Sequence, residues 1–185
     1  MKKVLCLVLS IFIAVIFCSC QSENGAGGED ISIDYDYLDE NGEIPKFEDV
    51  GFISPLSGKI TSPYGMRVNP ITKKESFHTG IDVGVKENTP VAVVADGKVV
   101  EAGESKAYGN YVLVVHENGL KTYYAHCNEI TVKKDIVVRQ GEIIAYSGNT
   151  GTYSTGPHLH FEVRSADTTV NPVKYIRVVD NEIKN

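Results

Sequence analysis

The 185-residue chain has few cysteines, and only one falls where a folded domain can begin. Cys6, Cys18 and Cys20 all sit in the first 20 residues, which leaves Cys127 alone. No disulfide framework can therefore hold the domain together. A stripe of lysine and arginine is also missing, so no nucleic-acid surface is expected. After the first 20 residues there is no long apolar run, no internal repeat and no long window with helical apolar spacing. The fold must come from short strands around an apolar core.

The net charge of −6 belongs mostly to one segment. Residues 21–50 carry ten acidic side chains against Lys46 alone, and the rest of the chain is close to balanced. Residues 21–30, QSENGAGGED, have the composition of a flexible tether. Residues 31–50 stay acidic but include Ile31, Ile33, Tyr35, Tyr37 and Leu38, so they either pack loosely on the domain or stay unstructured. The segment as a whole reads as a solvated spacer rather than a binding tail. About 30 such residues span of order 30 Å as a coil.

Ahead of the spacer, Met1-Lys2-Lys3 is a basic start and Val4 to Phe17 is apolar except for Ser10. That length lies between a secretory signal and a spanning helix. Phe17-Cys18-Ser19-Cys20 resembles a bacterial lipobox, with Phe17 and Cys18 as departures from its usual residues. Residues 1–20 are thus expected to be a signal peptide, with Cys20 lipidated. A signal-anchor or a simple cleaved signal are the alternatives. All three place the rest of the chain outside the cytoplasm, held at the membrane in the first two cases.

From Phe52 to about residue 178 the chain reads as β. The expected domain is 51–178, with a tail at 179–185. Asp96-Gly97 and Asn118-Gly119 lie between apolar runs and predict two hairpins. Glu142 to Tyr146 and Leu159 to Val163 are further strands. Short strands punctuated by glycine predict an all-β, compact antiparallel sandwich or barrel.

Four of the five histidines fall in three clusters: His78-Thr79-Gly80-Ile81-Asp82, Tyr124-Ala125-His126 and His158-Leu159-His160-Phe161-Glu162. His78 and Asp82 have helical spacing, but Gly80, Gly84 and the β-branched residues between oppose a helix. An extended segment is expected there. His158, His160 and Glu162 would share one face of a strand, with Leu159, Phe161 and Val163 on the other. Glu162 either orients a histidine or is simply solvated. His126 closes the strand after the Asn-Gly turn. Cys127, on the opposite face from His126, reads as a small buried hydrophobe.

Together with Gly58-Lys59-Ile60-Thr61-Ser62-Pro63-Tyr64-Gly65-Met66-Arg67 and GNTGTYSTGPHLHFEV at 148–163, these clusters resemble the lysostaphin-type, LytM-like family of bacterial zinc endopeptidases that cut peptidoglycan. The similarity runs over roughly residues 55–175, and Cys127 is a departure where the family usually has leucine. The resemblance implies a small antiparallel β domain with one Zn²⁺ in a groove. It implies that His78, Asp82 and His160 ligate the metal, and that His126 and His158 are catalytic. It leaves open which of those two is the base. It implies peptidoglycan peptides as substrate and leaves room for an activating partner. The loop with Gly148, Gly151, Tyr153 and Gly156 is expected to line the groove. A non-catalytic regulatory module of the same fold is the competing reading. A phosphocarrier or lipoyl-like domain is disfavoured by the targeting segment and by the Asp96-Gly97 turn.

Overall fold

A computed structural model describes residues 50–166, 168–179 and 182–183. The expectations for residues 1–49 fall outside the described residues. Fourteen strands and one 3₁₀ turn make up the described chain. The fold is all-β and antiparallel, as expected.

The strands that carry the site lie side by side. β1 (Gly58–Ser62) pairs with β4 (Ile81–Gly84), β4 with β11 (His158–Ser165), β11 with β8 (Leu120–Ile130), and β8 with β7 (Gly109–His116). β7 continues to β6 (Gly97–Ser105) and β6 to β9 (Val137–Val138). At the other edge β14 (Glu182–Ile183) pairs with β1 and with β13 (Val178–Val179). β12 (Thr168–Val170) pairs with the second half of β11. The 3₁₀ turn Pro172–Lys174 follows β12, and the Asn171 side chain caps it.

β8 also starts a branch. Beyond His126 it pairs with β10 (Ile143–Ser147), which pairs with β5 (Pro90–Ala92). Val91, Ile144 and Ala145 of this branch share one buried cluster with Val83, Leu159, Phe161, Val163, Tyr124 and Val112 of the main path. The branch therefore covers one face of the main sheet. Fully burying a valine, leucine or phenylalanine contributes roughly 1.5–3 kcal/mol, so this cluster is the principal stabiliser.

A separate hairpin, β2 (Gly65–Val68) with β3 (Glu75–His78), stands against the other face. Its turn is organised by Asn69, whose side chain accepts from Ile71 N and Thr72 N at 2.8 and 2.9 Å. Sequence patterning missed this hairpin.

The Asn118-Gly119 turn closes the β7–β8 hairpin as predicted, with Gly119 at φ +81°. Asp96-Gly97 does not close one. β5 pairs with β10, while β6 pairs with β7 and β9. Asp96 instead braces the corner between layers, its carboxylate accepting from Gln140 N at 2.7 Å. Gly97 does not use a positive φ here; its lack of a side chain lets β7 approach, since an added Cβ would lie 2.5 Å from Val115 O.

Candidate metal centre

β11 alternates as its sequence predicts. Leu159, Phe161 and Val163 are fully buried in the core, and His158, His160 and Glu162 project from the opposite face. The register sets His160 directly across from Asp82 on β4. His78 ends β3, and Thr79-Gly80 carry the chain into β4, so the His-x-x-x-Asp spacing is extended rather than helical. His78 Nε2 lies 3.1 Å from Asp82 Oδ1 and 3.1 Å from His160 Nδ1. His160 Nδ1 lies 2.8 Å from the same Asp82 oxygen. The three ligand-type atoms are all within 4.8 Å of one another.

The hydrogen bonds at the back of each ring define what its front can do. His78 Nδ1–H donates to Pro63 O at 2.7 Å, which leaves Nε2 as a bare lone pair. His160 Nε2–H donates to Glu162 Oε1 at 3.0 Å, which leaves Nδ1 bare. Two lone pairs and a carboxylate oxygen therefore converge on one point. Without a cation this arrangement is repulsive, so the donor set fits a metal with nitrogen and oxygen ligands. A proton can stand in for that cation. Burial opposes a charge on His160, yet its contacts with Asp82 and Glu162 raise it to about 9. Burial likewise opposes ionisation of Asp82, but His160 and His78 hold its carboxyl well below the usual carboxylate range.

Glu162 is not solvated. Its side chain is fully buried and also accepts from Thr79 Oγ1 at 2.6 Å and Arg164 Nε at 2.7 Å. Arg164 lies over the Tyr123 ring, 4.7 Å from its centroid. Despite burial, these partners keep Glu162 ionised and lower its pKa. Of the two readings open from sequence, the orienting one holds.

His126 does not end its strand. β8 runs on to Ile130, and three of its residues, 125–127, advance where β7 advances by two. The extra residue is a bulge. His126 takes φ +61°, a left-handed conformation that costs of order 1 kcal/mol for a non-glycine residue. The bulge turns His126 into the groove and returns Cys127 to the core, where burial pushes its thiol up to about 12. Cys127 is thus buried and inert, as expected.

His126 Nδ1–H donates to Thr150 O at 2.7 Å. Thr150 is itself pinned, with its hydroxyl donating to Cys127 O at 2.7 Å and accepting from Asn110 N. Gly109 and Gly151, both at positive φ, pack back to back to let this loop in. A methyl group on either would collide with the other strand's backbone. His158 Nδ1–H donates to Gly156 O at 2.7 Å, and its Nε2 lies 3.7 Å from Asp82 Oδ1. The His126 and His158 rings are 4.8 Å apart. Burial and the neighbouring His158 push His126 down to about 4, which favours neutral imidazole.

All five residues singled out in the sequence therefore meet in one place. Thr150 and Tyr108 were missed. Tyr108 packs 5.7 Å from the His160 ring and 6.4 Å from that of His126. Neither residue carries a local signal, because loops bring both in.

The cluster lies where two grooves join. One, about 370 Å³, runs past Phe77, Thr79 and Tyr108. The other, about 470 Å³, runs past Pro63, Gly84 and Pro157. Arg67, Asp82 and Tyr153 line both.

Residues 76–172 match the model of peptidase family M23, a span that holds all five residues. The chain belongs to peptidase family M23. Among curated M23-like relatives, the DD-carboxypeptidase/endopeptidase Mpg of Neisseria meningitidis is 44% identical over 137 residues. That match covers 73% of this chain and 31% of Mpg, so the chain spans about a third of that relative. A zinc containing peptidase from Vibrio cholerae has a similar structure, with a TM-score of 0.57 and 34% identity over 69% of this chain and 40% of that one. The catalytic domain of lysostaphin from Staphylococcus simulans gives a TM-score of 0.52 and 35% identity, over 64% of this chain and 89% of that domain. The lysostaphin-type resemblance drawn from the sequence is borne out.

Proposed function

We propose that this chain is an extracytoplasmic zinc metalloendopeptidase that hydrolyses peptide bonds in peptidoglycan cross-links or cross-bridges. The observation that carries the reading is the position of His78, Asp82 and His160 at the junction of two grooves. A groove that continues on both sides of the cluster suits a chain cut internally. The names of the relatives support the substrate class.

His78, Asp82 and His160 would hold the zinc. Bound there, the ion supplies a Lewis acid and lowers the pKa of a water towards ~7. His126 presents a bare Nε2 and is our base, accepting the proton of the attacking water. His158 stabilises charge developing on the scissile carbonyl, and the two histidines are close enough to exchange these roles. Either one can then return the proton to the leaving amine. Thr150 holds His126 in the tautomer this needs. Tyr153, exposed and lining both grooves, offers a flat face to a peptide backbone.

Residues 1–20 would direct export and anchor the chain through a lipid on Cys20. Residues 21–50 would span the gap to the wall. An acidic spacer is repelled by anionic lipid heads and would extend outward.

The test is to incubate the full chain with sacculi of differing cross-bridge chemistry, with zinc and with chelator, and to read new peptide termini by mass spectrometry. Zinc-dependent termini are expected and would name the bond. None from a zinc-loaded chain would leave the regulatory-module reading in their place.

A further inference from the structure

Asp82 uses its two oxygens differently. Oδ1 receives the three histidine contacts, from His160 Nδ1 at 2.8 Å, His78 Nε2 at 3.1 Å and His158 Nε2 at 3.7 Å. Oδ2 faces Arg67 Nη2 at 3.4 Å. Arg67 sits on β2, across from Ser76 on β3, so the small hairpin carries it over the back of the carboxylate.

Among the described residues Asp82 is the one ion-pair partner of Arg67, whose Nε is buried with no hydrogen-bond partner. Leaving a guanidinium N–H buried and unpaired costs stability. A side chain kept for the fold alone would satisfy that group. Arg67 is instead held beside Oδ2, and it is also the sole lysine or arginine lining the two grooves.

Carboxylates bind metals through one oxygen or two. A two-oxygen Asp82 would fill the position that a three-ligand site must leave to water. We propose that Arg67 is a positioning residue that holds Asp82 Oδ2 away from the metal, so that Asp82 ligates through Oδ1 alone. Its positive charge makes Oδ2 the poorer metal ligand, and its place on the hairpin fixes the plane of the carboxylate. The inference rests on the reading of His78, Asp82 and His160 as ligands.

The experiment loads the full chain with Co²⁺ and compares wild type with Arg67→Met and Arg67→Lys. Cobalt's visible absorption is intense at four ligands and weaker at five. Arg67→Met is expected to weaken these bands and to lower kcat on soluble cross-linked muropeptides about 10–100-fold, with little change in KM. Arg67→Lys, which keeps the charge, is expected to recover much of both. A wild-type cobalt spectrum in Arg67→Met would overturn the inference, and an accompanying rise in KM would reassign Arg67 to the substrate. If Arg67→Met does not fold, the same two readouts on Arg67→Gln decide. A wild-type chain that takes up no cobalt would sink the metal-site reading itself, and this inference with it.

Discussion

The two ends of the β7–β8 hairpin each bury histidine, and they treat it in opposite ways. At the turn end, His116 has both ring nitrogens satisfied. One contacts Asp96 O at 2.9 Å and the other Thr122 Oγ1 at 2.7 Å, and the Thr122 and Tyr124 hydroxyls extend the chain to Val94 N. The Phe52 ring packs against it. At the other end, His78, His126, His158 and His160 each spend one nitrogen on a neighbouring acceptor. Their second nitrogens face the groove: those of His78 and His160 meet on Asp82 Oδ1, and those of His126 and His158 make no hydrogen bond among the described residues. Burial by itself therefore does not distinguish structural from chemical histidines. The distinguishing mark is a second nitrogen turned to the groove, where a proton, a metal or a substrate can reach it.

The comparison breaks first at His160. His160→Ala is expected to abolish both metal retention and hydrolysis, read by chelator competition and by release of muropeptides. A variant that kept its metal would show that the converging lone pairs are not ligands. His126→Ala should retain metal while kcat falls about 10²–10⁴-fold, the range of a lost general base. Full turnover in that variant would move the base role to His158. Glu162→Gln keeps the shape of the buried group but removes its charge. Metal affinity or activity is expected to fall about 10–100-fold, measured by competition with a chromophoric chelator.

His116→Asn should leave metal binding and turnover unchanged. It should cost about 1–3 kcal/mol in unfolding free energy, because buried partners lose their acceptor or donor. Its pH dependence has a definite sign. Burial lowers the His116 pKa below its ordinary value of about 6.5. The neutral form is thus favoured by folding, and that stability is present above about pH 6.5 and lost as pH falls through the folded pKa. Thermal unfolding of the zinc-loaded chain should therefore decline less steeply from pH 7 to 5 in His116→Asn than in wild type. Equal slopes would mean that His116 is not a source of acid sensitivity.

Legibility in the sequence followed the range of the interactions. His158, His160 and Glu162 were readable as one face because alternation along a strand is local. The Asn118-Gly119 hairpin was readable because its turn chemistry lies within two residues. Asp96-Gly97 misled because the strands on either side found partners elsewhere, β5 with β10 and β6 with β7. The bulge at His126 left no trace, since it is a difference in count between two strands. Thr150 and Tyr108 act on His126 and His160 from loops, and Arg67 acts on Asp82 from a hairpin whose pairing the pattern did not reveal.

The sequence by itself determined the donor types, their placement on strands and the all-β class. Residue chemistry and period-two alternation are properties of short stretches. Only the tertiary structure decided that Glu162 is buried beneath His160, that His126 turns inward on a strained backbone, and that Asp82 shows one oxygen to the histidines and the other to Arg67. Those outcomes depend on register between strands and on packing of loops distant in the chain. Such relations exist only once the strands have found their partners.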